Sequence, residues 1–300
     1  MLRIAIVFPV FNGLSHTKTC LQSLFGSHKI ERYDNEIKVV LVNDGSTDET
    51  AAWITEHYPQ VNMLSGTGNL WWSGGINLAI DYALDQLKSD YIIWWNNDIV
   101  AEENYFSNLM TILTNHDGKT IIGSKIFHAH SKDTIWSMGG LFNPKSGFKS
   151  LIGTGERDQE KYQKVTECNW LPGMGTITHK LVYDKIGMLD EKNFPQYHGD
   201  SDFTFRAFKK GFKILVYPDL VIYNDTHHSG IRHGGSSTRL IQSLFSIKSN
   251  YNIRKDFMFY KKHNESLKAY SVLFRKYYNY IGGFLKWKSL GWFGKKKVYP

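Results

Sequence analysis

Val39-Val40-Leu41-Val42-Asn43-Asp44-Gly45-Ser46-Thr47-Asp48-Glu49-Thr50 is the segment that decides the fold class of this 300-residue chain. Four consecutive apolar residues, Val39 to Val42, read as a strand buried on both faces. Turn formers follow, and an N-cap candidate with acidic neighbours then opens a helix that runs to about His57. Toward the N-terminus the same unit occurs once more. Ile4 to Phe8 is an apolar run ended by Pro9, Phe11-Asn12-Gly13 is a turn, and Ser15 to Phe25 is read as a helix. Toward the C-terminus, Val61 to Leu64 is a third strand. Gly66-Thr67-Gly68 then leads through Trp71-Trp72-Ser73-Gly74-Gly75 into a helix from Ile76 to about Leu87. Tyr91 to Trp95 is a fourth strand, ending at Asn96-Asn97-Asp98. Alternation of this kind predicts an α/β fold with a mostly parallel, doubly wound sheet, whose ligands bind at the carboxyl ends of the strands. Pro9 to Asn12, Asn43-Asp44, Gly66 to Gly68 and Asn97-Asp98 all fall at such ends and are expected to converge on one crevice.

Beyond residue 100 the pattern loosens. Ile121 to Gly123 and Trp136 to Gly140 read as short strands and turns, 143–165 as an exposed loop. Leu171 to Gly175 with Thr176 to His179 returns to the sheet. From about Ser237 the pattern turns helical, with basic residues interleaved among aromatics. The expected division is 1–236 for the α/β domain, with its nucleotide-binding half at about 1–100 and its acceptor half at 101–236, and 237–300 for a basic aromatic helical extension.

Charged residues are 21% of the chain, hydrophobic ones 42% and aromatic ones 15%, which is globular composition. The net charge of +8 points to an anionic partner, with nucleotide diphosphates, acidic glycans and anionic lipid all compatible. Nine tryptophans suit a sugar-binding cleft and an aromatic core equally. Two cysteines, Cys20 and Cys168, make no disulfide framework, and the run from Met1 to Pro9 is too soon broken to be a signal peptide. The expectation is a cytoplasmic protein, at most peripheral on the inner face of the cell membrane.

Three constellations carry chemistry. Asp98, directly after a strand, is placed to hold Mg²⁺ or Mn²⁺ beside a phosphate, although Asn and Asp also favour turns and caps. Asp200 and Asp202 stand at the start of a helix that Gly211 ends. A carboxylate there can take the proton of an attacking sugar hydroxyl, while Asp202 or Ser201 also suits an N-cap. His227 and His228, with His233 as competitor, can complete a metal site with Asp98. Gly66-x-Gly68 lacks the third glycine of a dinucleotide fingerprint. Trp71 and Trp72 read as a wall of the donor or acceptor pocket, or as core.

Five segments occur in a family's order: Phe8-Pro9-Val10-Phe11-Asn12, Val42 to Asp48, Asn69 to Asn77, Trp95 to Asp98, and Gly199-Asp200-Ser201-Asp202 with Arg206 and Gly211. The chain resembles the inverting family-2 glycosyltransferases of the GT-A fold, especially bacterial, rhamnosyltransferase-like enzymes that build surface polysaccharides. The resemblance implies that Pro9, Asn12, Asp44, Gly75 and Asn97 help hold a nucleotide-diphosphate sugar. It implies that Asp98 and His227 or His228 bind a divalent metal, Mn or Mg, and that Asp200 is the catalytic base. Trp71, Trp72 and Asp202 are the expected acceptor contacts, the acceptor being a glycan or lipid-linked glycan. From its own residues the basic, aromatic C-terminal region reads either as a peripheral contact with an anionic membrane or as a solvated basic helix packing its aromatics on the main domain, and no nucleic acid is expected. Two departures stand out: Asn96 replaces the first acid of the family's Asp-x-Asp motif, and Gly199 replaces the usual Glu before the base. A non-catalytic carbohydrate-binding descendant of the fold and a sugar-1-phosphate nucleotidyltransferase are the rival readings. The second lacks its glycine-rich, basic loop after the first strand.

Overall fold

β1 (Ile4–Val10) is buried nearly throughout, and its two faces feed different cores. Ile4, Ile6 and Phe8 belong to one cluster, Ala5 and Val7 to the other. This two-sided burial is why the strand is continuously apolar instead of alternating. The computed structural model describes residues 2–27, 30–33, 37–114, 116–225 and 236–292. Within them the early chain runs β1, α1 (Leu14–Leu21), β2 (Ile37–Asn43), α2 (Thr50–His57), β3 (Asn62–Ser65), α3 (Trp71–Asp85) and β4 (Tyr91–Trp94). β1 pairs in parallel with both β2 and β4, and β2 pairs in parallel with β3. The parallel, doubly wound expectation is met.

Two helix boundaries differ from the sequence reading. α1 stops at Leu21 and gives way to a wider π-turn over Gln22–Ser27. α3 begins five residues earlier than Ile76, so Trp71 to Gly75 form its first turn. That turn is stabilised from a distant part of the chain, as described below, and no local signal announces it.

The remaining strands are β5 (Ile99–Ala101), β6 (Thr120–His128), β7 (Ser131–Ser137), β8 (Gly140–Phe142), β9 (Lys149–Leu151), β10 (Thr166–Glu167), β11 (Thr176–His179) and β12 (Lys213–Asn224). The main sheet has the order β10-β12-β6-β11-β4-β1-β2-β3. β11 enters antiparallel between β4 and β6, while β12 runs parallel to β6. β12 alternates buried and half-exposed residues along its length, and its register shifts between Tyr217 and Val221, where Pro218 has no N–H for the ladder. α4 (Tyr105–Thr114) adds Leu109 and Leu113 to the first cluster. α3, α5 (Lys180–Ile186) and α6 (Gly199–Lys209) add Ile76, Ile80, Val182 and Phe203 to the second. Helices therefore cover both faces.

The segment 143–165 is not simply an exposed loop. It contains β9 and a single turn at Glu160–Tyr162 whose Tyr162 is buried. Lys125 explains the ordering: its ammonium is buried and donates to Asp158 Oδ1 at 2.6 Å and to the Tyr162 carbonyl at 3.2 Å. A buried cation persists only with such partners.

The chain divides into two compact units, one of residues 1–141, 150–195 and 199–227, the other of 142–149, 196–198 and 228–300. The second unit contains α7 (Ser237–Phe245), α8 (Ile253–His263) and α9 (Tyr270–Trp292). Asn252 caps α8 by accepting from the amides of Arg254 and Lys255. Phe142, Phe259, Tyr260, Leu273, Tyr277 and Phe284 form its buried core. Among the described residues no helix is long and apolar enough to cross a membrane.

Candidate active site

The strand ends of the first unit are joined by side-chain hydrogen bonds from the loops that follow them. Asn12, after β1, holds a left-handed backbone at φ 46°. Its side-chain oxygen accepts from Thr47 N at 2.7 Å and its backbone amide donates to Ser46 Oγ at 3.0 Å, locking the β1 loop to the β2 loop. Asn tolerates this φ better than most residues do.

Asp44 follows β2 and is 5% exposed. Its Oδ1 accepts from Gly68 N at 2.7 Å, and its Oδ2 accepts from Leu70 N at 2.9 Å and Trp71 N at 3.1 Å. The carboxylate thus caps α3 from the end of β2, the strand paired with the one that leads into the helix, where the helix dipole favours a negative charge. Gly66 permits this approach, since a Cβ there would lie 2.6 Å from Asp44 Oδ1. Trp71 pays for the sharp entry with φ 57°, a conformation costly for a bulky residue.

Glycine inside a helix costs roughly 1 kcal/mol relative to alanine. α3 carries two, and Gly75 has a plain reason: a Cβ on it would stand 2.5 Å from Pro9 Cβ. The helix therefore lies directly on β1. Pro9, Asn12, Asp44 and Gly75 are thereby parts of one packed rim.

After β4 come Asn96, Asn97 and Asp98. Asn96 Oδ1 accepts from the Trp72 indole N–H at 2.9 Å, and its backbone carbonyl accepts from the Cys20 thiol at 3.6 Å. Asn97 donates to Thr17 Oγ1 at 3.1 Å. Asp98 adjoins the end of β12, its carbonyl accepting from Asp225 N at 3.1 Å. Its Oδ1 is buried and has no hydrogen-bond partner among the described residues. Burial pushes its carboxyl above the ordinary range; the charge of Asp225 adds to this, while a backbone hydrogen bond, His16 and the Asn96 side chain oppose it. A buried carboxylate oxygen without a donor is costly in a protein alone and suits a hard cation. The fit is partial: among the described residues no group of three or more His, Cys, Asp or Glu forms a cage. His227, His228 and His233 lie outside the described residues.

Asp200 is in the first turn of α6. Its Oδ2 accepts from Gly173 N at 2.9 Å and its Oδ1 from Ser201 N at 2.7 Å. Gly173 also lies against Trp72, since a Cβ on it would be 2.3 Å from the indole. A continuous line therefore runs Asn96–Trp72–Gly173–Asp200, joining the end of β4 to the start of α6. Asp202 is placed differently. It is completely buried, and its Oδ2 accepts from Arg206 Nε at 2.9 Å, while Arg206 also donates to the carbonyls of Ile186 and Met188. Through Arg206 it anchors α6 to the turn after α5.

Gly199 has a structural explanation as well. A Cβ there would lie 2.1 Å from Ser73 Oγ. Ser73 is held in turn by the Phe194 carbonyl at 2.5 Å. No side chain fits between the starts of α3 and α6, which accounts for the missing glutamate. Gly173, Ser73 and Asn96 were not singled out as site residues from the sequence. Gly173, in Leu-Pro-Gly-Met-Gly, is the one with a legible signal, a glycine in an otherwise apolar approach to a strand.

Residues 5–171 match the model of Glycosyl transferase family 2. The chain belongs to this family. Among relatives, an uncharacterized glycosyltransferase of Rickettsia prowazekii is 23% identical over 69% of this chain and 58% of its own length. An N-acetylglucosaminyl-diphospho-decaprenol L-rhamnosyltransferase of Mycobacterium tuberculosis is 21% identical over 66% of this chain and 69% of its own. The chain thus spans 58% of the first of these relatives. Among solved structures, a mannosyltransferase of Pyrobaculum calidifontis in complex with GDP-Man and Mn²⁺ superposes with TM-score 0.56 at 14% identity, covering 92% of this chain and 69% of that one. Such a likeness shows the GT-A fold. The family-2 membership and the α/β GT-A fold expected from the sequence are both borne out.

Proposed function

We propose that this chain transfers a sugar from a nucleotide-diphosphate sugar to a hydroxyl of a glycan or lipid-linked glycan, with inversion, in polysaccharide biosynthesis. The observation that carries the reading is the line from Asn96 through Trp72 and Gly173 to Asp200. It ties Asn96, two residues before the proposed cation ligand Asp98, to the carboxylate proposed as base, on a family-2 scaffold.

Each Asp200 oxygen accepts one backbone N–H and retains lone-pair capacity for an acceptor hydroxyl. Asp200 takes the hydroxyl proton as the acceptor oxygen bonds to the anomeric carbon, and the bond from that carbon to the diphosphate breaks on the opposite face. Asp98 would hold a divalent cation, which when bound stabilises the charge left on the diphosphate. His227 is the proposed late ligand. The rim of Pro9, Asn12, Asp44, Gly75 and Asn97 would position the nucleotide. Here Asp44 acts chiefly by shaping the Gly66–Trp71 loop, because both its oxygens are already engaged by amides. Trp71 and Trp72 remain proposed walls of the sugar site; Asp202 is not proposed to touch the acceptor.

Calorimetric titration with a panel of nucleotide diphosphates, with and without Mn²⁺ or Mg²⁺, tests the reading. The expected result is cation-dependent binding of one nucleotide, lost in Asp98→Ala and kept in Asp200→Asn. A folded protein that binds none of the panel would instead support a carbohydrate-binding descendant of the fold.

A further inference from the structure

α9 has two apolar faces. Leu273, Tyr277 and Phe284 are buried on the inner one. On the outer side Phe274 is 73% exposed, Tyr278 68% and Leu285 58%. Spacings of four and seven place these three on one side of the helix, and the half-buried Ile281 falls on the same stripe. At 1.5 Å per residue the stripe is about 17 Å long. The Phe274 and Tyr278 rings stack at 6.2 Å, which makes one continuous surface of them. Leu267, in the turn before the helix, is 88% exposed. Singly exposed apolar residues need no explanation, but a stripe along one helix does.

The charge around this stripe is basic, the exposed Glu265 before the turn being the one nearby acid along the chain. Arg275 and Lys286 are exposed beside it, and Lys268 is exposed in the preceding turn. From Ser266 to Pro300 the chain contains eight lysines and arginines (Lys268, Arg275, Lys276, Lys286, Lys288, Lys295, Lys296 and Lys297) and no aspartate or glutamate. Pairing this face with a second copy of itself would set cations against cations. A surface of anionic lipid offers the complement to both features, apolar acyl chains for the stripe and phosphates for the basic flank. Phe and Tyr rings suit that boundary, being apolar in the body and, for Tyr, polar at the tip.

We propose that the outer face of α9 docks on an anionic lipid surface, the helix lying in the plane of the interface with Phe274, Tyr278, Ile281 and Leu285 inserted and Arg275 and Lys286 at the headgroups. The docking does not depend on the transfer chemistry, so its readout is vesicle binding alone. The full chain is sedimented with phosphatidylcholine vesicles, with and without phosphatidylglycerol. Binding is expected only with phosphatidylglycerol, weakening as salt is raised. F274S/L285S and R275E/K286E are each expected to weaken it roughly tenfold or more while keeping the wild-type melting temperature. The proposal is overturned if the wild-type chain ignores phosphatidylglycerol vesicles, or if both variants bind as it does. Light scattering that shows a dimer dissolved by F274S/L285S, without vesicle binding, would assign the face to a second copy and likewise overturn it.

Discussion

The Gly173 amide donates to Asp200 Oδ2 at 2.9 Å while the α-carbon of the same residue lies against the Trp72 indole. One glycine therefore sets the distance between an aromatic wall and the carboxylate proposed as base. Its lack of a side chain is what allows both contacts together.

Gly173→Ala would place a methyl 2.3 Å from the indole, so either Trp72 or the Gly173 amide must shift. Because misplacement of a reacting group by about an ångström costs on the order of 100-fold, the expected result is a turnover reduced by roughly 10- to 100-fold. The donor KM should change less than the turnover, since only the Trp72 wall, and none of the rim residues, is displaced. Steady-state kinetics separate the two, and a variant that raised KM alone would contradict the assigned role.

Asp200→Asn and Asp202→Ala should fail in opposite ways. The first keeps the shape of the carboxylate and removes the base, so turnover should fall about 10²- to 10⁴-fold with stability nearly unchanged. The second strips the partner from a largely buried Arg206 and should cost about 3 kcal/mol in denaturant unfolding. Unfolding curves and single-turnover rates on both proteins distinguish a reacting carboxylate from an anchoring one.

Gly199→Ala inserts a methyl at 2.1 Å from Ser73 Oγ. Over-packing of this kind costs about 1–3 kcal/mol, readable as a lower denaturation midpoint. The double variant with Ser73→Ala should recover part of the loss, but not all, since Ser73 Cβ and the Phe194 carbonyl also stand close. If the double variant recovered nothing, the hydroxyl contact would not be the cause.

The second unit should loosen in acid. Asp256 is buried and takes the Nε2–H of His198 at 2.7 Å, the Tyr277 hydroxyl at 2.6 Å and the Lys276 ammonium. Burial by itself raises its carboxyl, but the hydrogen bond and charge of His198 and the charge of Lys276 outweigh it and hold the carboxyl far below its ordinary value. Burial pushes His198 down, as does Lys149, which donates to its Nδ1 at 3.2 Å; Asp256 opposes them. Both groups thus bind protons more weakly folded than unfolded, so stability is present above their unfolded values and is lost as pH falls toward the folded ones. The loss should begin below about pH 6.5 through His198 and continue below about pH 4 through Asp256. Hydrogen exchange in α8 and α9, followed from neutral pH downward, should show faster opening in that window. Protection independent of pH would refute the assignment.

Much of the first unit was legible because its signals are local. Four apolar runs gave four strands, and Asn or Asp at their ends marked the crevice, since parallel sheets bury both faces of their strands and bind ligands at one end. Asp98 could be singled out for the same reason, and Asp200 by its place at the start of a helix. What each carboxylate does could not. Asp200 and Asp202 are two residues apart in one helical turn, yet one accepts a loop amide and the other an arginine, because successive turn positions point in different directions.

The amino-acid order by itself determined the alternating α/β architecture, the family motifs and the one-signed charge after Ser266, all carried by composition and short-range spacing. Tertiary structure alone decided the insertion of antiparallel β11 between β4 and β6, the early start of α3 and the close approach of Ser73 that leaves no room for a side chain at Gly199. Each depends on residues brought together from far along the chain: Thr176 to Trp94, Asp44 to Trp71, Ser73 to Gly199. Sequence periodicity reports which face of an element is buried; it holds no record of which distant backbone will press against it.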